Sequence, residues 1–132
     1  MKRLILVVDD DPELRPVVRL ALAEFCEVRE AVDGGDGLAQ LKFSPAAVIL
    51  DLAMPGLGGM AVLRALRAAR PELPVLVLTG EHDTTAAKEA LDSGADAYLT
   101  KPFEVHVLRE EVRRLLALPH GAGEARPWRM GA

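Results

Sequence analysis

Five polar residues each close a short apolar run. Asp9 and Asp10 follow Leu4-Ile5-Leu6-Val7-Val8, Asp51 follows Ala46-Ala47-Val48-Ile49-Leu50, Thr79 follows Pro74-Val75-Leu76-Val77-Leu78, and Lys101 follows Ala97-Tyr98-Leu99-Thr100. Three carboxylates brought within several ångströms repel by on the order of a few kcal/mol per close pair at an effective dielectric near 20. Either one carboxyl group stays protonated or a hard cation occupies the cluster, and an all-oxygen donor set with no histidine or cysteine favours Mg²⁺. A magnesium ion alone does not require a lysine and a threonine. Lys101 and Thr79 therefore point to a ligand that is anionic and accepts hydrogen bonds, which describes a phosphoryl group. No Gly-Lys-Ser/Thr nucleotide loop follows the first run, and Gly34-Gly35-Asp36-Gly37 and Gly56-Leu57-Gly58-Gly59 match neither a Walker nor a dinucleotide fingerprint. The phosphoryl group then arrives on a small donor or another protein and stays on an aspartate as an acyl phosphate.

The elements that must bring these residues together alternate regularly. Residues 4–8, 46–50 and 74–78 are continuous, mostly branched apolar runs, the pattern of strands buried on both faces; Cys26–Glu30 and Ala97–Thr100 are shorter strands. Asp11 before Pro12 reads as a helix N-cap with proline at the first helical position, and Leu14, Val17, Val18, Ala21, Leu22 and Phe25 recur at helical spacing. Leu38, Ala39 and Leu41 outline a second helix, and Met60–Ala69 a third. A fourth, Thr84–Asp92, has Gly94 as its C-terminal cap partner. The last, Glu104–Ala117, turns Val105, Leu108, Val112, Leu115 and Leu116 inward. Five such units in series predict a doubly wound five-stranded parallel α/β sheet, flavodoxin-like, with right-handed crossovers. If the strand order is 2-1-3-4-5, the first and third strands are neighbours at the switch point, the crevice where open α/β sheets bind ligands, and Asp9, Asp10 and Asp51 would then converge.

Composition sets the outer limits. The chain has 132 residues, half of them hydrophobic and 27% charged, which suits one globular domain over residues 1–118 and rules out a largely disordered polymer. Residues 119–132 lack any periodicity and read as a flexible tail with no output domain. The net charge of −4 provides no field to hold a polyanion, so nucleic acid is not expected as the direct ligand. No apolar run spans a bilayer and Met1-Lys2-Arg3 leads into no signal peptide, so a cytoplasmic protein away from membranes is expected. Cys26 is the single cysteine and reads as a packed thiol. His82, His106 and His120 stand too far apart for a local metal motif.

Val7-Val8-Asp9-Asp10-Asp11-Pro12, then Asp51-Leu52-Ala53-Met54-Pro55 with Gly59, then Thr79-Gly80, then Gly94-Ala95-Asp96-Ala97-Tyr98-Leu99-Thr100-Lys101-Pro102-Phe103 resemble the receiver domain of two-component response regulators. The match runs from residue 3 to about 117, and four motifs in order make it specific. The resemblance implies that Asp51 accepts a phosphoryl group from a histidine kinase or a histidine phosphotransfer protein. It also implies that Asp10 and Asp51 ligate Mg²⁺ with the backbone carbonyl of Ala53, and that Asp9 acts through water. Lys101 is implied to pair with phosphoryl oxygens, with its bond to Pro102 cis. Thr79 and Tyr98 are implied to form a switch: the threonine hydroxyl turns to the phosphoryl group, the tyrosine swings inward, and the surface of the fourth helix, fifth strand and fifth helix is remodelled for an unknown downstream protein. A monomer or a weak phosphorylation-dependent dimer is expected.

Two rival readings remain. An Mg²⁺-dependent phosphohydrolase with an aspartyl nucleophile, of the haloacid-dehalogenase type, carries a second acid two residues after the nucleophile, where this chain has Ala53. A receiver-like scaffold that takes no phosphate does not need the full set of acids, threonine and lysine. The leading expectation is a domain that catalyses only its own phosphorylation and dephosphorylation, not a turnover enzyme. Ala53 and Glu81 occupy positions that tune the phosphoryl lifetime in the family. Gly58 replaces an aspartate common among relatives and provides a weaker cap for the third helix. Taken alone, Asp11 reads as a helix cap, Thr79 as a strand-end hydroxyl met by backbone, and Tyr98 as packing.

Overall fold

A computed structural model describes residues 2–54, 58–80 and 84–118. In chain order the elements are β1 (Arg3–Val8), α1 (Leu14–Leu22), β2 (Cys26–Ala31), α2 (Gly34–Ala39) with a 3₁₀ turn at Gln40–Phe43, β3 (Ala47–Asp51), α3 (Gly59–Ala69), β4 (Val75–Gly80), α4 (Thr84–Asp92), β5 (Ala97–Lys101) and α5 (Val105–Leu116). The strands form one parallel sheet in the order β2-β1-β3-β4-β5. None of the described helices is long and apolar enough to cross a membrane. Pro55, Gly56 and Leu57 of the second motif, Glu81, and the proposed tail at 119–132 lie outside the described residues.

Successive strand side chains point to opposite faces, and the core divides accordingly. Ile5, Val7, Ile49, Leu76 and Leu78 pack with Val18 and Leu22 of α1 and Leu108, Val112 and Leu115 of α5. Leu6, Val8, Val48, Leu50, Val75 and Val77 pack on the other face with Val62, Leu63 and Leu66 of α3 and Ala90 of α4. Burial of both faces explains why these strands are apolar without alternation.

The helix ends differ from the sequence pattern in instructive ways. α1 starts at Leu14, not at Pro12. The Asp11 carboxylate accepts a bond from the Glu13 N–H at 2.8 Å, and its carbonyl accepts from Leu14 and Arg15, so Asp11 organises a turn ahead of the helix. Phe25 lies beyond the end of α1, half-buried beneath the Arg113 guanidinium. Leu41 falls in the 3₁₀ turn. Val105 opens α5 with its side chain exposed, not turned inward. Gly94 ends α4 as expected, at φ +107°. Gly58 precedes α3 at φ +79°, a conformation that strains any side chain, so glycine answers a backbone demand there besides leaving the helix without a side-chain cap. Cys26 is buried, and burial pushes its thiol above the ordinary value.

Candidate functional site at the carboxyl rim

Strand register builds the site. Val8 pairs with Leu50, so Asp9 and Asp51 stand level one residue further along neighbouring strands. Asp9, Asp51 and Lys101 continue the alternation of Ile5 and Val7, of Ala47 and Ile49, and of Ala97 and Leu99, so all three fall on the α1/α5 side of the sheet. Thr79 follows Val75 and Val77 on the other side, as does Tyr98, which is paired with Val77. Lys101 can therefore reach both acids across the switch point: its Nζ lies 3.2 Å from Asp51 Oδ2 and donates to Asp9 Oδ2 at 3.4 Å.

One carboxylate oxygen each from Asp9, Asp10 and Asp51 lies within 4.8 Å of the others. Asp9 and Asp51 are buried and Asp10 is exposed. At that spacing each ionised pair repels by about 3–4 kcal/mol at an effective dielectric near 20, and a single ammonium cannot cancel three such charges. Burial pushes the Asp9 carboxyl above the ordinary value, the Asp51 charge pushes it further, and the Asp11 N–H and Lys101 oppose the rise. Burial pulls the Lys101 ammonium down, but the charges of Asp51 and Asp9 outweigh it and hold the group above its ordinary value.

The remaining bonds orient the acids. Asp51 Oδ1 accepts from the Ala53 N–H at 3.0 Å, which leaves Oδ2 toward Lys101. Asp9 Oδ1 accepts from the Asp11 N–H at 2.9 Å, and the Asp9 N–H donates to the Ala31 carbonyl. Gly59 fastens the start of α3 to the end of β3. Its N–H donates to the Leu52 carbonyl, and a Cβ there would lie 2.3 Å from Leu52 Cα, so only glycine admits this approach.

Thr79 contributes a buried hydroxyl whose Oγ1 finds no hydrogen-bond partner among the described residues. An orphaned buried hydroxyl costs on the order of 1–3 kcal/mol, which a ligand oxygen would recover. Leu52, Ala53, Met60, Thr79, Gly80 and Ala86 line a cleft of about 160 Å³ beside it. Among the described residues, chain neighbours aside, no atom lies within 4 Å of where a Gly80 Cβ would stand. Tyr98 is 45% exposed and lines a groove of about 520 Å³ between α4, β5 and α5. The Lys101–Pro102 peptide is cis.

The sequence pattern did not single out Arg15 or Glu30. Arg15 Nη1 donates to the Asp9 carbonyl at 2.7 Å and its Nε to Glu30 Oε1 at 3.1 Å. Glu30 also stands near the carboxyl end of a strand, paired with Val7, so the rule that flagged the other five polar residues would have found it.

Three acids, a lysine and a hydroxyl with no partner among the described residues meet at the switch point of a doubly wound sheet, and the three carboxylates could hold a metal ion. The model of the response regulator receiver domain matches residues 5–113, and the chain belongs to that family. Response regulator MprA of Mycolicibacterium vanbaalenii is 41% identical over 126 residues, covering 92% of this chain and 54% of that protein. The chain thus spans about half the length of the curated relatives it matches. Among solved structures, the receiver domain of NtrX from Brucella abortus superposes with a TM-score of 0.84 at 34% identity, covering 87% of this chain and 99% of that one. A response regulator receiver domain protein from Methanospirillum hungatei, described as CheY-like, gives 0.82 at 29% identity, covering 88% and 94%.

Proposed function

We propose that this receiver domain is a phosphorylation-dependent switch in a two-component phosphorelay, with Asp51 as the phosphoacceptor. The observation that carries the reading is the meeting of Asp9, Asp10 and Asp51 under a lysine that bridges two of them, beside a buried hydroxyl without a partner among the described residues. A carboxylate oxygen of Asp51 forms the new O–P bond as the P–N bond of a phosphohistidine breaks, and the electron pair leaves with the donor imidazole. The donor is a sensor histidine kinase or a histidine phosphotransfer protein, and the readout is a protein.

The donor chemistry of the acids fits a hard divalent cation. Asp10, Asp51 and the Ala53 carbonyl would hold Mg²⁺, with Asp9 acting through water; bound there, the ion neutralises the acids and the transferring oxygens. Lys101, already beside Asp51, meets one phosphoryl oxygen, and Thr79 donates its free hydroxyl to another. Turning Thr79 opens space on the sheet face it shares with Tyr98. The half-exposed ring can fill that space, reshaping the groove of α4, β5 and α5. The shift is bounded by how much better the inward arrangement holds the phosphoryl group than the outward one does. Ala53 offers no acid for leaving-group protonation, which supports self-modification over turnover of an external substrate.

The test is incubation with acetyl phosphate and Mg²⁺, read by intact mass. One added phosphoryl group is expected, absent in Asp51→Asn and in EDTA. An unmodified protein under saturating donor would mean a scaffold, and catalytic hydrolysis of diverse phosphomonoesters would mean an enzyme.

A further inference from the structure

Asp10 is the exposed member of the acid cluster, and no hydrogen bond holds its carboxylate among those described. The point from which it reaches the cluster is set by the backbone that carries it. That peptide joins the Asp9 carbonyl to the Asp10 nitrogen in one plane, so whatever fixes the carbonyl oxygen also fixes the course of the chain into Asp10. The fixing group is Arg15, one turn into the following segment, whose Nη1 donates to Asp9 O at 2.7 Å.

The guanidinium is itself held. Its Nε donates to Glu30 Oε1 at 3.1 Å, and the other Glu30 oxygen accepts from Arg19 Nε at 2.8 Å. Arg15 is 14% exposed, so this is a packed strut and not a loose surface pair. The planar fork serves the carbonyl and the carboxylate at once in a fixed geometry. The strut ties α1 and β2 to the peptide between the two acids, and the Asp9 N–H is fixed to Ala31 of the same strand.

We propose that Arg15, oriented by Glu30, is a positioning residue for the divalent-cation site: it aims the Asp10 carboxylate by fixing the Asp9–Asp10 peptide. This rests on the proposed function above. Removing an outer partner of metal ligands commonly weakens metal affinity about 10- to 100-fold.

The experiment measures Mg²⁺ binding to the full chain by calorimetry, and the Mg²⁺ dependence of acetyl-phosphate modification, for wild type, Arg15→Met, Arg15→Lys and Glu30→Gln. Arg15→Met keeps the aliphatic stem and loses the donors. Its Mg²⁺ Kd is expected to rise about 10-fold or more, with the modification rate at saturating Mg²⁺ within about threefold of wild type. Arg15→Lys, which can still donate to the carbonyl, recovers most of the affinity, and Glu30→Gln shows a smaller loss of about threefold in the same direction. A lowered melting temperature in EDTA with an unchanged Mg²⁺ Kd would make Arg15 a stabilising contact only and overturn the proposal. Should Arg15→Met not fold, an unchanged Kd in Glu30→Gln overturns it equally. Wild-type protein that binds no Mg²⁺ would instead sink the functional reading on which it rests.

Discussion

Buried acids stand at both edges of the sheet, Asp96 at the amino edge and Asp9 and Asp51 at the carboxyl edge, and are treated in opposite ways. At the amino end, Asp96 has a fully buried side chain that accepts from the Val75 N–H at 2.9 Å and pairs with Arg67 at 3.2 Å. The Arg67 guanidinium also donates to the carbonyls of Gly94, Arg70, Pro71 and Leu73, tying the end of α3 to the entries of β4 and β5. At the carboxyl end, one lysine pairs with two of three clustered acids, and a buried hydroxyl finds no partner among the described residues. The first arrangement satisfies its charges within the protein and has nothing left to offer a ligand. The second leaves charge and hydrogen-bonding capacity unspent among the described residues, which is the pattern on which the proposed site rests.

The comparison predicts opposite responses to losing an acid. Asp96→Ala takes the carboxylate from the part-buried Arg67 and the acceptor from the Val75 N–H, and is expected to cost about 3–5 kcal/mol in denaturant unfolding, with modification of the folded fraction unchanged. Asp51→Asn relieves repulsion and is expected to leave stability in EDTA equal or higher while abolishing modification. A large stability loss in Asp51→Asn, or a silent Asp96→Ala, would erase the distinction between the two ends.

Lys101→Ala separates chemistry from switching at the rim. It is expected to slow modification by about tenfold or less, as loss of one electrostatic partner does. It is also expected to remove the changes at Tyr98 and Thr100 that beryllofluoride with Mg²⁺ produces in amide spectra. An undiminished response there would take Lys101 out of the switch.

The smallest expected effect is in pH. Asp9 has a folded pKa above its ordinary 3.8, so its stabilising contribution is present below that value and is lost as pH rises through the folded pKa. Glu30 is the reverse. Hydrogen bonding to Arg19 lowers it against the cost of burial, with the Arg19 charge and Arg15 adding to the fall, so its contribution is present above 4.5 and is lost as pH falls through the folded pKa. Melting temperatures across the acid range in EDTA should show Asp9→Asn flattening the loss on the rising side. Glu30→Gln should flatten the acid loss, by about 1 kcal/mol or less because its partner Arg19 is half exposed. Superimposable profiles for wild type and Asp9→Asn would show that Asp9 is not strained in the fold.

Strand existence, order and the identity of the rim acids were legible before any coordinates. Uninterrupted apolar runs ended by single polar residues leave few ways to build a parallel sheet, and that sheet puts every such ending on one edge. Helix starts were less legible. A turn at Asp11 competed with the helix for the same backbone groups, and the exposure of Val105 at the first position of α5 was not marked by the apolar spacing.

Local pattern alone therefore determined the doubly wound fold and the set Asp9, Asp10, Asp51, Thr79 and Lys101. Tertiary structure decided which of them touch. Register and side-chain alternation put Lys101 against Asp9 and Asp51 and left Thr79 unpartnered on the other face. It also decided that Arg15 meets the Asp9 carbonyl and Arg67 meets Asp96. Those contacts join residues on separate elements whose distance apart in sequence says nothing about their distance in space until the sheet and helices have packed.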